Sequence, residues 1–118
     1  MSIRIEDAVG VHMRALGLHM QRSEILAANL ANEDTPGFQA RDLDFASEMR
    51  RHDAVPRFGE SSHAQLQYRV ASQPSQDGNT VELSVEQAAF SKSASDFQTS
   101  LTFLNMKFRG LKQAIEGR

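Results

Sequence analysis

Apolar residues recur with a helical period at both ends of the chain and lose that period in the middle. Val9, Met13, Leu16, Met20, Ser23, Ala27 and Leu30 step alternately by four and three. That is a heptad seam with one polar member. A second line, Val11, Leu18 and Ile25, widens the apolar face, so this helix wants contacts on more than one side. The spacing predicts a helix from about Ile5 to Asn32, about 40 Å long at 1.5 Å per residue. The other end is more regular. Phe90, Ala94, Phe97, Leu101, Leu104, Phe108, Leu111 and Ile115 keep the four–three alternation without a fault. Ser84 and Gln87 have capping-box spacing and predict a start near Val85. Lys107, Arg109 and Lys112 suit the negative end of the helix dipole, and Gly117 is the predicted stop. Phe103 falls off this seam and predicts a second contact surface.

The stretch between the helices is built differently. Thr35-Pro36-Gly37 is a turn signal, because Pro fixes one backbone angle and Gly permits the next. Asp44 is placed to cap a short helix running through Met49. Leu66, Tyr68 and Val70 alternate as in a short strand, with the Val55–Phe58 region as the expected partner. Asp77-Gly78-Asn79 is a turn leading into the second helix.

The predicted fold is therefore mainly α. Long N- and C-terminal helices pack as an antiparallel, coiled-coil-like hairpin around an irregular, partly β connector. The expected divisions are 1–33 for the first helix, 34–83 for the turn and connector, and 84–118 for the second helix. A two-helix hairpin has only one shared face. The flanks carrying Val11, Leu18 and Ile25 and carrying Phe103 are then expected in water, and exposed apolar surface of that extent marks an interface. The competing arrangement is a small α+β monomer in which the connector folds back over those flanks.

Composition narrows the function by exclusion. A net charge of −2 argues against a nucleic-acid partner, whose footprint is a basic face. With no Cys there is no disulfide framework, thiolate metal site or Cys nucleophile. No apolar run approaches the roughly 20 residues of a membrane span, and the acids of MSIRIEDAVG do not suit a cleaved signal peptide. His12 and His19 are seven apart, too far along the helix to share a metal. They, with His52 and His63, are expected in solvent or at an interface. Asp42 and Asp44 are expected to cap rather than to work as an acid–base pair. No catalytic, metal or cofactor site is expected, and no small-molecule substrate.

The run Ile25-Leu26-Ala27-Ala28-Asn29-Leu30-Ala31-Asn32-Glu33-Asp34-Thr35-Pro36-Gly37-Phe38 resembles the signature of the flagellar rod and hook axial protein family. Ala40-Arg41-Asp42-Leu43-Asp44-Phe45, Asp77-Gly78-Asn79-Thr80-Val81-Glu82-Leu83 and Gly110-Leu111-Lys112-Gln113-Ala114-Ile115 are similar to its proximal rod members. Residues 46–76 have no clear counterpart, and the chain looks shorter there than typical members. The resemblance implies a structural subunit that self-assembles through its terminal helices in the basal body rod. It implies export to the periplasmic rod by the flagellar type III apparatus. The implied partners are other copies, other rod proteins, and a FliE-type adaptor near the export gate and MS ring. The implied assembly signature is Asn29, Ala31, Asn32, Thr35, Pro36, Gly37 and Phe38. The helix-packing seam is Val9, Met13, Leu16, Met20, Ala27 and Leu30 with Phe90, Phe97, Leu101, Leu104, Phe108, Leu111 and Ile115. Physically, Asn29 and Asn32 are expected to bond the unpartnered carbonyls ending the first helix, and Phe38 and Phe45 to anchor the connector. The alternative function is a helical-hairpin adaptor or secretion chaperone gripping a single partner.

Overall fold

A computed structural model describes residues 5–53, 65–73 and 75–117 of the chain. In chain order these form α1 (Ile5–Ala31), β1 (Arg41–Asp42), α2 (Phe45–Asp53), β2 (Gln67–Tyr68) and α3 (Leu83–Glu116). Asn29 meets Glu86 near one end of the long helices, and Ser23 meets Ser93 further along. Partner numbers fall on one helix as they rise on the other, so α1 and α3 are antiparallel. The result is a slender body of 64 × 27 × 19 Å.

The helix ends follow local chemistry. α1 stops where Pro36 and Gly37 intervene. Phe38 N–H closes a turn on Thr35 O at 3.2 Å, and Gly37 takes the left-handed φ of 75° that this turn requires. α3 starts at Leu83, two residues before the expected start, with Glu82 as its N-cap and no side-chain capping bond. The Ser84–Gln87 capping box is therefore not formed. Glu82 takes the extended backbone of the cap position, while its carboxylate accepts from Ser72 N–H at 2.6 Å and Ser72 Oγ at 2.9 Å. Ser84 is left inside the first turn. At the far end Gly117 is left-handed, and its N–H reaches Gln113 O, as the sequence predicts. Asp44 caps α2 by accepting from Ser47 N–H and Ser47 Oγ.

The expected strand is present, and its described partner is β1. β2 pairs antiparallel with β1, Tyr68 opposite Arg41 and Gln67 opposite Asp42. The Val55–Phe58 region lies outside the described residues. The alternation is two-sided, with its apolar side outward: Tyr68 and Val70 are 62% and 91% exposed, and Arg69 turns inward. A buried ion pair for Arg69, described below, outweighs the small apolar gain that the reverse facing would bring.

The core is thin. Val9, Leu18, Leu26, Ala40, Leu43 and Leu104 are its buried apolar residues. The α1–α3 contact line runs through Glu86, Ser93 and Leu104 on α3, all buried. Ser23 Oγ and Ser93 Oγ are hydrogen-bonded at 3.0 Å, so the polar member of the first seam is matched across the crossing. The connector does fold back over one flank. Leu18 is buried and Ile25 half-buried beneath it, and of that line Val11 stays largely exposed. The expectation that this whole flank lies in water is corrected accordingly.

The heptad seams touch the contact line at Ser23 and Leu104 and otherwise border it. Val9 and Leu104 are buried and Leu16, Leu30, Phe97, Leu101 and Leu111 half-buried. Met13, Met20, Ala27, Phe90, Phe108 and Ile115 are exposed. At 100° per residue both seams are rotated away from the line of closest approach, in the same sense. In an antiparallel pair that sense opens both on one side of the molecule. The outcome is one continuous apolar face, away from the flank that the connector covers.

Because the crossing is filled by serines, bulk is not tolerated there. Ser93→Leu should lower stability by about 1–3 kcal/mol, read from urea unfolding by circular dichroism, whereas Ser93→Ala should cost less than about 1.5 kcal/mol.

Candidate assembly site at the head of the helix pair

The signature residues and the Asp77-Gly78-Asn79-Thr80 turn, more than forty residues apart in sequence, form one unit. Gly37 N–H donates to Asp77 O at 2.8 Å, Thr80 N–H to Phe38 O at 3.0 Å, and Ala40 N–H to Thr80 Oγ1 at 2.8 Å. Asn79 closes the assembly. Its Nδ2 lies 2.9, 2.7 and 2.8 Å from the carbonyls of Asn32, Glu33 and Thr35, and its Oδ1 accepts from Val81 N–H at 2.7 Å. Carbonyls at a helix end have no partner within the helix. Here Asn32 Nδ2 satisfies Ala28 O at 2.7 Å, and Asn79 serves the carbonyls just beyond the last turn. Gly78 is left-handed at φ 75°, and a Cβ there would sit 3.7 Å from Gly37 Cα, so the two turns pack glycine to glycine.

Asn29 behaves differently from expectation. It is 1% exposed and bonds none of α1's terminal carbonyls. Its side chain pairs with the backbone of Arg41, donating to the carbonyl at 2.6 Å and accepting from the N–H at 3.0 Å. An amide is donor and acceptor at once, so it can mimic a neighbouring strand. The same Nδ2 donates to Glu86 Oε2 at 2.9 Å. The inward-turned Asn29 faces Arg41, and this leaves Asn32 alone to cap the helix.

A charge network extends this hub. Glu86, fully buried, has Arg69 Nε 2.9 Å from its Oε1. Arg69 also donates to Asp42 Oδ2 at 2.9 Å, and Arg22 grips both Asp42 oxygens at 3.0 and 3.2 Å. Asp42 is therefore an ion-pair centre, not a helix cap. Two arginines against two carboxylates balance, and the network joins α1, β1, the residue following β2, and α3. Sequence reasoning missed Arg22, Arg69, Glu86 and Asn79. The available signals were a glutamate on the seam side of α3 and an arginine inside an alternating strand.

Phe45 lies flat on His19, ring centres 4.3 Å apart and 13° from parallel, which anchors the connector on α1. Phe38 is half-buried. His19 itself is buried, not in solvent. Burial holds its pKa below the usual value, Asp96 opposing and Arg22 reinforcing the shift. The remaining signature residues, Ala31, Thr35, Pro36 and Gly37, are exposed at the tip of the head, as are Glu33 and Asp34. His52 and His63 have no described side chains.

A helical hairpin with an apolar side, a bonded head turn and a small β connector fits a structural subunit, and sequence comparison places it in the flagellar rod class. The model of the family described as flagella basal body rod protein matches residues 10–39. Several curated relatives match nearly end to end, and the chain belongs to the FlgB family of flagellar basal body rod proteins. It is 38% identical to the Salmonella typhimurium FlgB, covering 97% of this chain and 96% of that one. It is 36% identical to the Aeromonas hydrophila protein, covering 99% and 98%, and 40% identical to that of Cereibacter sphaeroides, covering 94% and 95%. The Salmonella alignment runs over 133 positions, more than the 118 residues here, so that relative carries insertions this chain lacks.

Asn79→Ala should remove the bonds that tie the carbonyls of Asn32, Glu33 and Thr35 to the second turn and cost about 1–3 kcal/mol in urea unfolding. The pH dependence follows from His19. A histidine whose folded pKa lies below its unfolded value costs nothing at neutral pH and penalises the fold as pH drops through the ordinary imidazole range. Stability should therefore fall from pH 7 to pH 5, and His19→Phe should flatten that slope. Asp44, Asp77 and Glu82 have lowered pKa values, from hydrogen bonds of Ser47, Ser75 and Ser72 respectively, so their loss comes at lower pH still.

Proposed function

We propose that this chain enters the basal body rod by laying its open apolar face against other copies of itself and other rod proteins. The single observation that carries this reading is the face itself: Met13, Met20, Phe90 and Phe108 exposed along one side of a helix pair. Chains do not leave such a stripe in water without a partner. The seam residues Val9, Met13, Leu16, Met20, Ala27 and Leu30, with Phe90, Phe97, Leu101, Leu104, Phe108, Leu111 and Ile115, are then shared between the chain's own fold and its neighbours. Residues 1–33 and 84–118 form the inner helical layer, and 34–83 lies outside it. At the base of the rod the neighbours are a FliE-type adaptor and the export gate and MS ring region. The chain reaches the periplasmic rod through the flagellar export apparatus.

Met20→Asp and Phe108→Asp change exposed residues, so each isolated variant should keep its helicity. Each should raise the concentration needed for self-association at least about tenfold, from lost burial of roughly 1.5–3 kcal/mol. Sedimentation velocity reads the first effect, and swimming of cells carrying only the variant reads incorporation. Variants that associate and swim normally would overturn the proposal. So would a parent chain that forms only a 1:1 complex with one other protein.

A further inference from the structure

The connector lies across the flank of α1 that carries Leu18, and a histidine sits where the two meet. His19 is 7% exposed, and Phe45, the first residue of α2, is stacked on its ring. Leu18 beside it and Leu43 just before α2 are buried as well. The connector is held to α1 by two kinds of contact. β1 is bound by polar groups, Asn29 on Arg41 and Arg22 on Asp42. α2 rests on α1 through the Phe45 ring, while its buried acid, Glu48, is engaged within the connector by Arg51 and Gln65 N–H. The polar contacts contain no imidazole, whereas the stack depends on one. His19 Nδ1 is buried with no hydrogen-bond partner. A neutral imidazole can keep Nδ1 as its bare acceptor nitrogen, but in an imidazolium both nitrogens are donors. Nδ1–H would then be a buried donor without an acceptor, which is costly. Charges act on the ring from two helices: Asp96 of α3 favours the proton and Arg22 of α1 opposes it. From α2 the ring receives only a phenyl face, which attracts a cation modestly. Burial outweighs both attractions and holds the closed-state pKa below the ordinary imidazole range.

We propose that His19 is a pH-sensitive catch for the connector: protonation frees α2 from α1 and uncovers Leu18, while the head and the α1–α3 crossing stay closed. Phe45 leaves the ring, and the imidazolium gains the water that the stack excludes. The opening is local, because the Asn29–Glu86 bond, the arginine–carboxylate pairs and the Ser23–Ser93 bond involve no histidine side chain. It therefore precedes any unfolding of the helix pair as pH falls. Below about 6.5 the open-to-closed ratio rises by up to tenfold per pH unit, until the closed form also takes the proton. The device belongs to a single molecule and does not depend on association.

The test is an NMR titration of the dilute full chain from about pH 8 to about pH 5, following the His19 ring, the Phe45 ring and the Leu18 methyls. His19 should titrate below the ordinary imidazole range. The mutual ring-current shifts of His19 and Phe45 should vanish in the same step, and the Leu18 methyls should become accessible to a dissolved paramagnetic probe. Amide signals of Asn29, Glu86 and Ser93 should persist through that step. His19→Phe keeps an aromatic stack without a titrating group and should stay closed across the range. Asp96→Asn removes the charge that favours a proton on the closed ring, so it should move the opening to higher pH, a shift that a merely structural aspartate would not give. The proposal is overturned if His19 charges with Phe45 still stacked, if α2 stays closed at about pH 5, or if the head signals are lost in the same step. It is equally overturned if His19→Phe opens as the parent does, or if Asp96→Asn leaves the midpoint in place.

Discussion

Two long helices can share only one face, and in this chain that face is fixed from the head by polar chemistry. Asn29 binds the backbone of Arg41 and the carboxylate of Glu86 together, so the exit of α1, the connector and the entry of α3 are tied at one point. Everything further along the pair follows from the register set there: Ser23 against Ser93, Leu104 buried, and the heptad seams turned aside onto an open flank.

A polar head and an apolar body divide the labour. Burying Glu86 and Asp42 is tolerable because Arg69 and Arg22 neutralise them and the Asn29 amide supplies a further hydrogen bond. Such a network contributes specificity of register as much as stability, and removing one partner strands the others. The connector adds a modest clamp through Phe45 on His19, while Glu48 accepts from Gln65 N–H at 3.0 Å and pairs with Arg51. None of these contacts reaches the far half of α3. There Leu104 is buried but Met106, Phe108 and Ile115 stay exposed, which suits a component completed by its neighbours.

The helices were legible because a seam repeating every seven residues survives any tertiary context. Gly117 and Asp44 announced their ends for the same local reason. What the seam did not reveal was its facing. A four–three alternation marks an apolar stripe, but it cannot distinguish the partner within the chain from the partner outside it, and serines at the crossing decided the inner line. The head was half legible. The Thr35-Pro36-Gly37 turn and the Asp77-Gly78-Asn79 turn were visible separately, yet their union through Asn79 depends on hydrogen bonds across more than forty residues. The roles of Arg69 and Glu86 were hidden for a similar reason, since a lone charge at an apolar position reads as a fault until its counter-ion is placed beside it. The covering of Leu18 by the connector lay beyond any periodicity argument, because the helical period is lost between the two long helices.

The central claim is that the apolar face left open along the outer half of α3 is completed only by neighbouring molecules. Amide hydrogen exchange, followed by mass spectrometry on dilute and on associated protein, tests this most directly. The account predicts that amides of the head around Asn29 and Glu86 are protected in both states. Those of 105–116 should exchange rapidly when dilute and become protected on association. Equal and strong protection of 105–116 in a solitary copy, unchanged by association, would contradict it.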